Sequence, residues 1–224
     1  MRRFCRNNGL SLLFGVLFLS ALGGQSIVGR AEYNEQQRTQ GRAEVSYVEY
    51  VTSSHFAVDV TENWQSEYLQ FLLYITATVW LVQRGSPESK KLGQAGLESD
   101  EDQKVGDHAG PDSPKWSRVG GVRTGIYSWS LTLVMGALFF GSWTAQSITG
   151  AAAYNETQLS QQQDPITWTE YLTRPDFWSR TLQNWQSEFL AVGSMVVFSI
   201  YLRQRGSPES KPVGTAHQAT GTTG

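Results

Sequence analysis

A displacement of 121 positions lays residues 10–90 of this chain over residues 131–211 without a gap. Gln25-Ser26-Ile27 returns as Gln146-Ser147-Ile148, Tyr33-Asn34-Glu35 as Tyr154-Asn155-Glu156, and Glu49-Tyr50 as Glu170-Tyr171. Asn63-Trp64-Gln65-Ser66-Glu67 returns as Asn184-Trp185-Gln186-Ser187-Glu188, and the octapeptide from Gln83 to Lys90 returns intact from Gln204 to Lys211. Chance does not produce such a series. An internal duplication fixes the unit from which any fold must be assembled.

Each copy carries two apolar runs, Leu10–Val28 and Leu69–Val82 in the first, Tyr127–Ile148 and Phe189–Leu202 in the second. A hydrocarbon core of about 30 Å takes about 20 apolar residues in a helix. The first and third runs approach that length directly. The second and fourth reach it with their polar outer turns, from Trp64 and Trp185, at the headgroups. A soluble bundle would show a polar face on each helix, yet Leu10–Leu22 and Phe71–Leu81 have almost none. The expectation is therefore an all-α integral membrane protein. Its four transmembrane helices form two parallel tandem repeats of a two-helix unit, with short interfacial helices in the external loops.

The expected organisation is a first repeat over 1–91, with spans at about 9–29 and 64–83, and a second over 116–211, with spans at about 125–149 and 185–204. Between them, residues 92–115 read as a disordered acidic linker, and 212–224 as a disordered tail, because neither has the apolar side chains that offset ordering entropy. An even number of spans per copy inserts both copies the same way up, so the duplication is parallel. Of the 18 Lys and Arg residues, 13 fall in the N-terminal segment, the central segment from Arg84 to Arg123 and the C-terminal segment from Arg203, and 5 in the loops within the repeats. The positive-inside rule then places both termini in the cytoplasm. The Arg2-Arg3-Phe4-Cys5-Arg6 opening imitates a secretory leader. Its apolar run recurs at Leu131–Gly150 in mid-chain, which marks it as an anchor. Cys5 stands alone, so no disulfide framework or zinc cluster is expected, although a thiol beside a span is open to acylation.

The external loops each carry a capping-box pattern, Ser46-x-x-Glu49 and Thr167-x-x-Glu170, which predicts a short helix. Ser20 and Gly24, with Gly141, Ala145 and Ala137, form a small-residue ridge suited to close helix packing.

Two groups of residues are candidates for function. The first is the polar cluster Gln25, Asn63 and Glu67, with Gln146, Asn184 and Glu188 as its counterpart. Asn63 and Glu67 lie one turn apart and share a helix face. Polar groups at that depth need partners: either they are helix glue, with the Gln25 amide on the Glu67 carboxylate, or the two acids form a pair for a proton or a cation. The second group is the duplicated octapeptide, a candidate cytoplasmic docking site through Arg84, Ser86, Glu88, Lys90, Arg205, Ser207, Glu209 and Lys211. In its plain reading, arginine reaches the headgroups and glycine ends the helix. Catalytic and metal-binding arrangements are not expected: His55, His108 and His217 have no partners at ligand spacing, and there is no phosphate loop or nucleophile elbow. Nor do the basic residues form a nucleic-acid patch. No cofactor is called for, and the expected partners are the bilayer, a cytoplasmic protein and a second copy of the chain.

The series Asn8-Gly9-Leu10-Ser11-Leu12, Gly24-Gln25-Ser26, Ala31-x-Tyr33-Asn34, Tyr47-x-Glu49-Tyr50, Asn63-Trp64-x-Ser66-Glu67 and Arg84-Gly85-Ser86 resembles a bacterial family of uncharacterised multi-pass membrane proteins, a domain of unknown function. The resemblance spans the chain apart from the linker and the tail. It implies a bacterial cytoplasmic membrane and a duplicated helical fold, and it carries no activity or substrate. Tyr127-Ser128-Trp129 stands before the third span where the N-terminal pattern is basic and polar.

Overall fold

The computed structural model describes residues 2–223. Met1 and Gly224, the outer limits of the first repeat and of the tail, lie outside the described residues, as does the side chain of Arg2. The described chain is all helix and turn, without a strand. Its helices are α1 (Arg2–Asn7), α2 (Gly9–Thr39), α3 (Tyr47–Val51), α4 (Ser54–Trp80), α5 (Lys115–Arg118), α6 (Gly121–Ser128), α7 (Ser130–Ser160), α8 (Trp168–Tyr171) and α9 (Pro175–Tyr201). A 3-10 turn at Gly106–His108 interrupts the segment between α4 and α5. Helices α2 and α7 are both 31 residues long, and α4 and α9 both 27.

Among the described residues, α2 and α7 are long and apolar enough to cross a membrane. Only 6 % of the most apolar window of α2 is buried within the chain, against 22 % for α7. Leu10, Leu13, Phe14, Val16, Leu17 and Leu19 are all exposed. Gly24 and Gly141 of the small-residue ridge have open space where a side chain would project.

Local chemistry sets the helix ends. Ser46 and Glu49 form the capping box at α3: the Glu49 amide donates to Ser46 Oγ at 3.3 Å, and the Ser46 amide donates to the Glu49 carboxylate at 2.6 Å. Those bonds to Ser46 hold the Glu49 carboxyl below its ordinary pKa. Thr167 and Glu170 repeat the arrangement at α8, at 2.7 and 3.2 Å. Ser53 Oγ accepts from the Phe56 amide at the start of α4, and Pro175 opens α9 with its φ already set for a helix. Helix α2 closes through Gly41 at φ +70°, with the Arg42 amide returning to the Gln37 carbonyl at 2.8 Å. At the same place after α7, Gln162 adopts φ +58° and the Gln163 amide returns to Gln158 at 2.9 Å. This is the left-handed exit that normally selects glycine.

The chain divides into two compact units, one of residues 1–61 and 145–171, the other of 62–144 and 172–224. Neither is contiguous, because α4 and α7 each pass from one unit into the other.

The first unit is organised by a clasp that occurs twice. Asn34, 4 % exposed, donates its amide to the Val45 carbonyl at 3.1 Å and accepts from the Val45 amide at 2.8 Å. Asn155 does the same to Ile166, at 2.8 Å both ways. One side chain thereby satisfies both backbone groups of a residue where the loop has no ladder to join. The short helices are seated by buried serines: Ser26 bonds Tyr47 Oη at 2.8 Å, and Ser147 accepts from the Trp168 indole at 3.1 Å. Tyr50 and Tyr171 then pack down onto glycines. A Cβ on Gly29 would lie 2.2 Å from the Tyr50 hydroxyl, and one on Gly150 would lie 2.6 Å from that of Tyr171. Burial, followed by the charges of Asp59 and Glu32, raises the Tyr50 pKa.

An aromatic cluster lies in the second unit around the buried rings of Phe139 and Phe177. Trp143 stacks on Phe139 and Phe177, at centroid distances of 5.5 and 6.2 Å, and meets Trp178 edge-on and Trp185 tilted. Offset and edge contacts of this kind add to the apolar burial.

Candidate functional site

The two Asn-Trp-Gln-Ser-Glu motifs lie on α4 and α9, and within the second unit they bond to each other. Ser66 Oγ shares its one hydrogen between the Asn63 carbonyl and Glu188 Oε1, the latter at 3.3 Å, and Trp185 Nε1 donates to Gln65 Oε1 at 2.8 Å. Gln65 and Ser66 are fully buried. Glu67 is exposed, and Glu188, half-buried, is the charged group that bears on it. One turn before these residues, Arg180 bonds Glu62 at 3.0 Å and Asp176 at 3.6 Å, extending the polar seam.

The remaining members of the predicted cluster are placed differently. Asn184 turns back to the Arg180 carbonyl at 2.9 Å, and the Asn63 carbonyl accepts from Ser66 Oγ at 2.9 Å. Gln25, half-buried, and Gln146, 1 % exposed, belong to the first unit, whereas both acids belong to the second. The buried residues at this seam are thus Gln65 and Ser66, to which the sequence reading gave no role. Their signal was the perfect recurrence of the pentapeptide.

The duplicated octapeptide folds as a self-capped loop in both places. Gly85 and Gly206 turn at φ +89° and +80°. The Gln83 amide donates to Ser89 Oγ, and the Gln204 amide to Ser210 Oγ, both at 2.9 Å. This bond satisfies a backbone donor just beyond the helix end, which explains why the second serine recurs as faithfully as the glycine. Glu88 accepts from the Tyr74 hydroxyl and shares a hydrogen bond with Glu209. That shared bond, and then the Glu88 charge, push the Glu209 carboxyl above its usual pKa. Lys90 bonds Glu98 and holds the carboxyl of this glutamate low.

The surroundings of the two loops differ. Gly85, Ser86 and Pro87 are buried, whereas Arg205 and Gly206 are exposed and Ser207 is half-buried. Arg84 donates to the Gln218 side chain at 2.6 Å, and Lys211 is 1 % exposed.

A further polar site lies in the first unit. Glu156 of α7 accepts from Tyr33 at 3.1 Å and from Ser54 at 3.2 Å, and its carboxylate is 3.3 Å from His55 Nε2. Tyr33, His55 and Glu156 border a cavity of about 50 Å³ together with Gln37 and Arg42. Burial first, and then the Glu156 charge, raise the pKa of Tyr33. His55 has no counterpart in the second copy, where Asp176 stands, so the duplication gave no sign of this contact.

The fold and these polar seams define an all-helical protein with two helices suited to an apolar medium. The chain belongs to the family described as DUF6766, a domain of unknown function, whose model matches residues 1–222. No curated protein and no solved structure matches it.

Proposed function

We propose that this chain is a non-enzymatic, multi-pass protein of the bacterial cytoplasmic membrane, a structural or partner-binding component. In this reading, four spans form two parallel copies of a two-helix unit, with both termini in the cytoplasm. The copies are held to one another by their own duplicated polar motif. The observation that carries the proposal is the pair of bonds between motifs, Ser66 to Glu188 and Trp185 to Gln65. Hydrogen bonds between helices act as glue where water is scarce, and here identical sequences supply both partners. The equal lengths of α2 and α7, and of α4 and α9, support the duplication. The apolar surfaces of α2 and α7 support the membrane setting.

A second reading, a small proton or cation transporter using Glu67 and Glu188, is favoured by one observation: the two acids lie in the same unit, on the helices whose motifs bond to each other. The double variant Glu67→Gln/Glu188→Gln separates the two. Loss of thermal stability, with ion flux in proteoliposomes equal to that of empty vesicles before and after substitution, supports glue. Flux in the native chain that disappears in the variant at unchanged stability supports transport. Tags at either end that react from outside intact cells would overturn the orientation.

A further inference from the structure

Lys211 closes the second octapeptide, and its ammonium is almost wholly buried, with no carboxylate bonded to it among the described residues. Backbone oxygens surround it instead: the carbonyls of Gly85 at 2.7 Å, His217 at 2.8 Å, Ala219 at 3.3 Å and Ala216 at 3.4 Å. Three of these belong to the segment that follows Lys211, and the fourth to the first octapeptide. That segment is fastened at further points. The Gly221 amide donates to the Ser86 carbonyl at 3.0 Å, the Gly85 amide donates to Thr220 Oγ1 at 2.9 Å, and Arg84 donates to Gln218. Arg203 holds the Thr215 carbonyl at 2.9 Å. Burying a charge is costly, and here four carbonyls offer partners to all three N–H groups of the ammonium. Burial and the neighbouring Arg203 charge lower the Lys211 pKa.

The fit is tight on one loop and absent on the other. A Cβ on Gly85 would stand 2.5 Å from the His217 carbonyl, whereas one on Gly206 would meet nothing within 4 Å. The same eight residues are therefore covered by the segment 215–221, which turns through the Ala219 amide bond to the Ala216 carbonyl, in their first occurrence and are bare around the glycine in their second.

We propose that the Arg84-Gly85-Ser86 loop with Lys211 is a docking site for a turn-forming peptide rich in small residues, and that residues 215–221 of this chain are its internal occupant. Recognition is by main chain: Lys211 reads carbonyls, Gly85 and Ser86 offer one donor and one acceptor, and Arg84 takes an amide side chain. The site gives the partner-binding part of the proposed function a location and a gate, and it rests on that part of the reading alone. A partner peptide must displace the 215–221 segment.

Gly221 provides the means of opening the site. It sits at φ +66°, and a Cβ there would lie 2.9 Å from the Ser89 carbonyl, so Gly221→Val disfavours the docked segment while leaving Lys211 intact. The probe is a fluorescent synthetic peptide of residues 213–224, titrated by anisotropy into full-length native chain, Gly221→Val and Gly221→Val/Lys211→Met. Amide exchange at Gly85 is read in parallel, because its N–H bonds Thr220. We expect faster exchange and at least tenfold tighter peptide binding in Gly221→Val than in the native chain, with binding lost in the double variant. Equal binding to the native chain and Gly221→Val, no binding to Gly221→Val, or binding indifferent to Lys211→Met would each overturn the proposal. Exchange at Gly85 unchanged by Gly221→Val would also overturn it. None of these outcomes touches the bonds between α4 and α9, which the Glu67/Glu188 experiment tests separately.

Discussion

Replacing Asn34 or Asn155 removes a clasp whose strength can be worked out from its bonds. Each side chain makes two hydrogen bonds to one loop residue, Val45 or Ile166. A net contribution of about 0.5–1.5 kcal/mol per bond gives about 2 kcal/mol for either Asn→Ala substitution. For a chain of this length that corresponds to a fall in apparent Tm of about 4–8 °C. The two sites differ in one respect. The Val45 carbonyl has a second donor, Arg30 Nε at 3.1 Å, but position 151, the counterpart of Arg30, is alanine. Asn→Asp keeps the acceptor and removes the donor. At position 34 the carbonyl retains Arg30, whose charge also offsets the new carboxylate. At position 155 the Ile166 carbonyl loses the donor that Asn155 gave it and faces an anion. Asn155→Asp is therefore expected to cost more than Asn34→Asp, whereas the two Ala variants cost about the same. Circular dichroism melts in detergent measure the order, and amide exchange at Val45 and Ile166 reports the clasps directly. Equal or reversed effects of the two Asp variants, or unchanged Val45 exchange in Asn34→Ala, would refute the reasoning.

Three further outcomes follow from distances given above. Gly29→Ala places a methyl 2.2 Å from the Tyr50 hydroxyl and should lower apparent Tm by several degrees; Tyr50→Phe in the same chain should restore part of the loss, and an additive double variant would count against the contact. Glu209→Gln removes a carboxyl whose pKa is raised in the folded state by the Glu88 hydrogen bond and charge. A raised folded pKa gives stability that is complete below the unfolded value and is lost as pH rises through the folded one. Native chain and variant should thus melt together near pH 4 and diverge toward pH 7 with the variant higher; a pH-independent difference would contradict this. Gln162→Gly relieves a left-handed exit at φ +58° and should raise stability by about 0.5–1 kcal/mol, read as a small upward shift of the melt.

What the sequence disclosed followed from side-chain identity at short range. Ser46 with Glu49, and Thr167 with Glu170, announce their capping boxes because both partners lie within one turn. Gly85 and Gly206 announce a turn for the same reason. The recurrence of Asn-Trp-Gln-Ser-Glu marked a polar seam, yet it pointed to Glu67 with Gln25 rather than to the bonds that Gln65 and Ser66 make across to α9. Spacing along a helix shows which residues share a face but not which helix that face meets. Residues 212–223 were least legible. Their composition is that of a tether, and side-chain composition carries no record of carbonyl oxygens gathered around Lys211. Asn34 and Asn155 stood out as repeated letters, but a side chain that grips main chain leaves no complementary residue to find.

The bare flank of α2 has a practical consequence. Leu10, Leu13, Phe14, Val16, Leu17 and Leu19 all face outward, and at about 1.5–3 kcal/mol for each such group left in water they amount to on the order of 10–15 kcal/mol, as much as the whole stability of an ordinary domain. In the proposed membrane setting lipid coats that stripe in the cell, and surfactant replaces the lipid in the test tube. Diluting the surfactant below its micelle threshold should make the molecules clump while their helices are still intact.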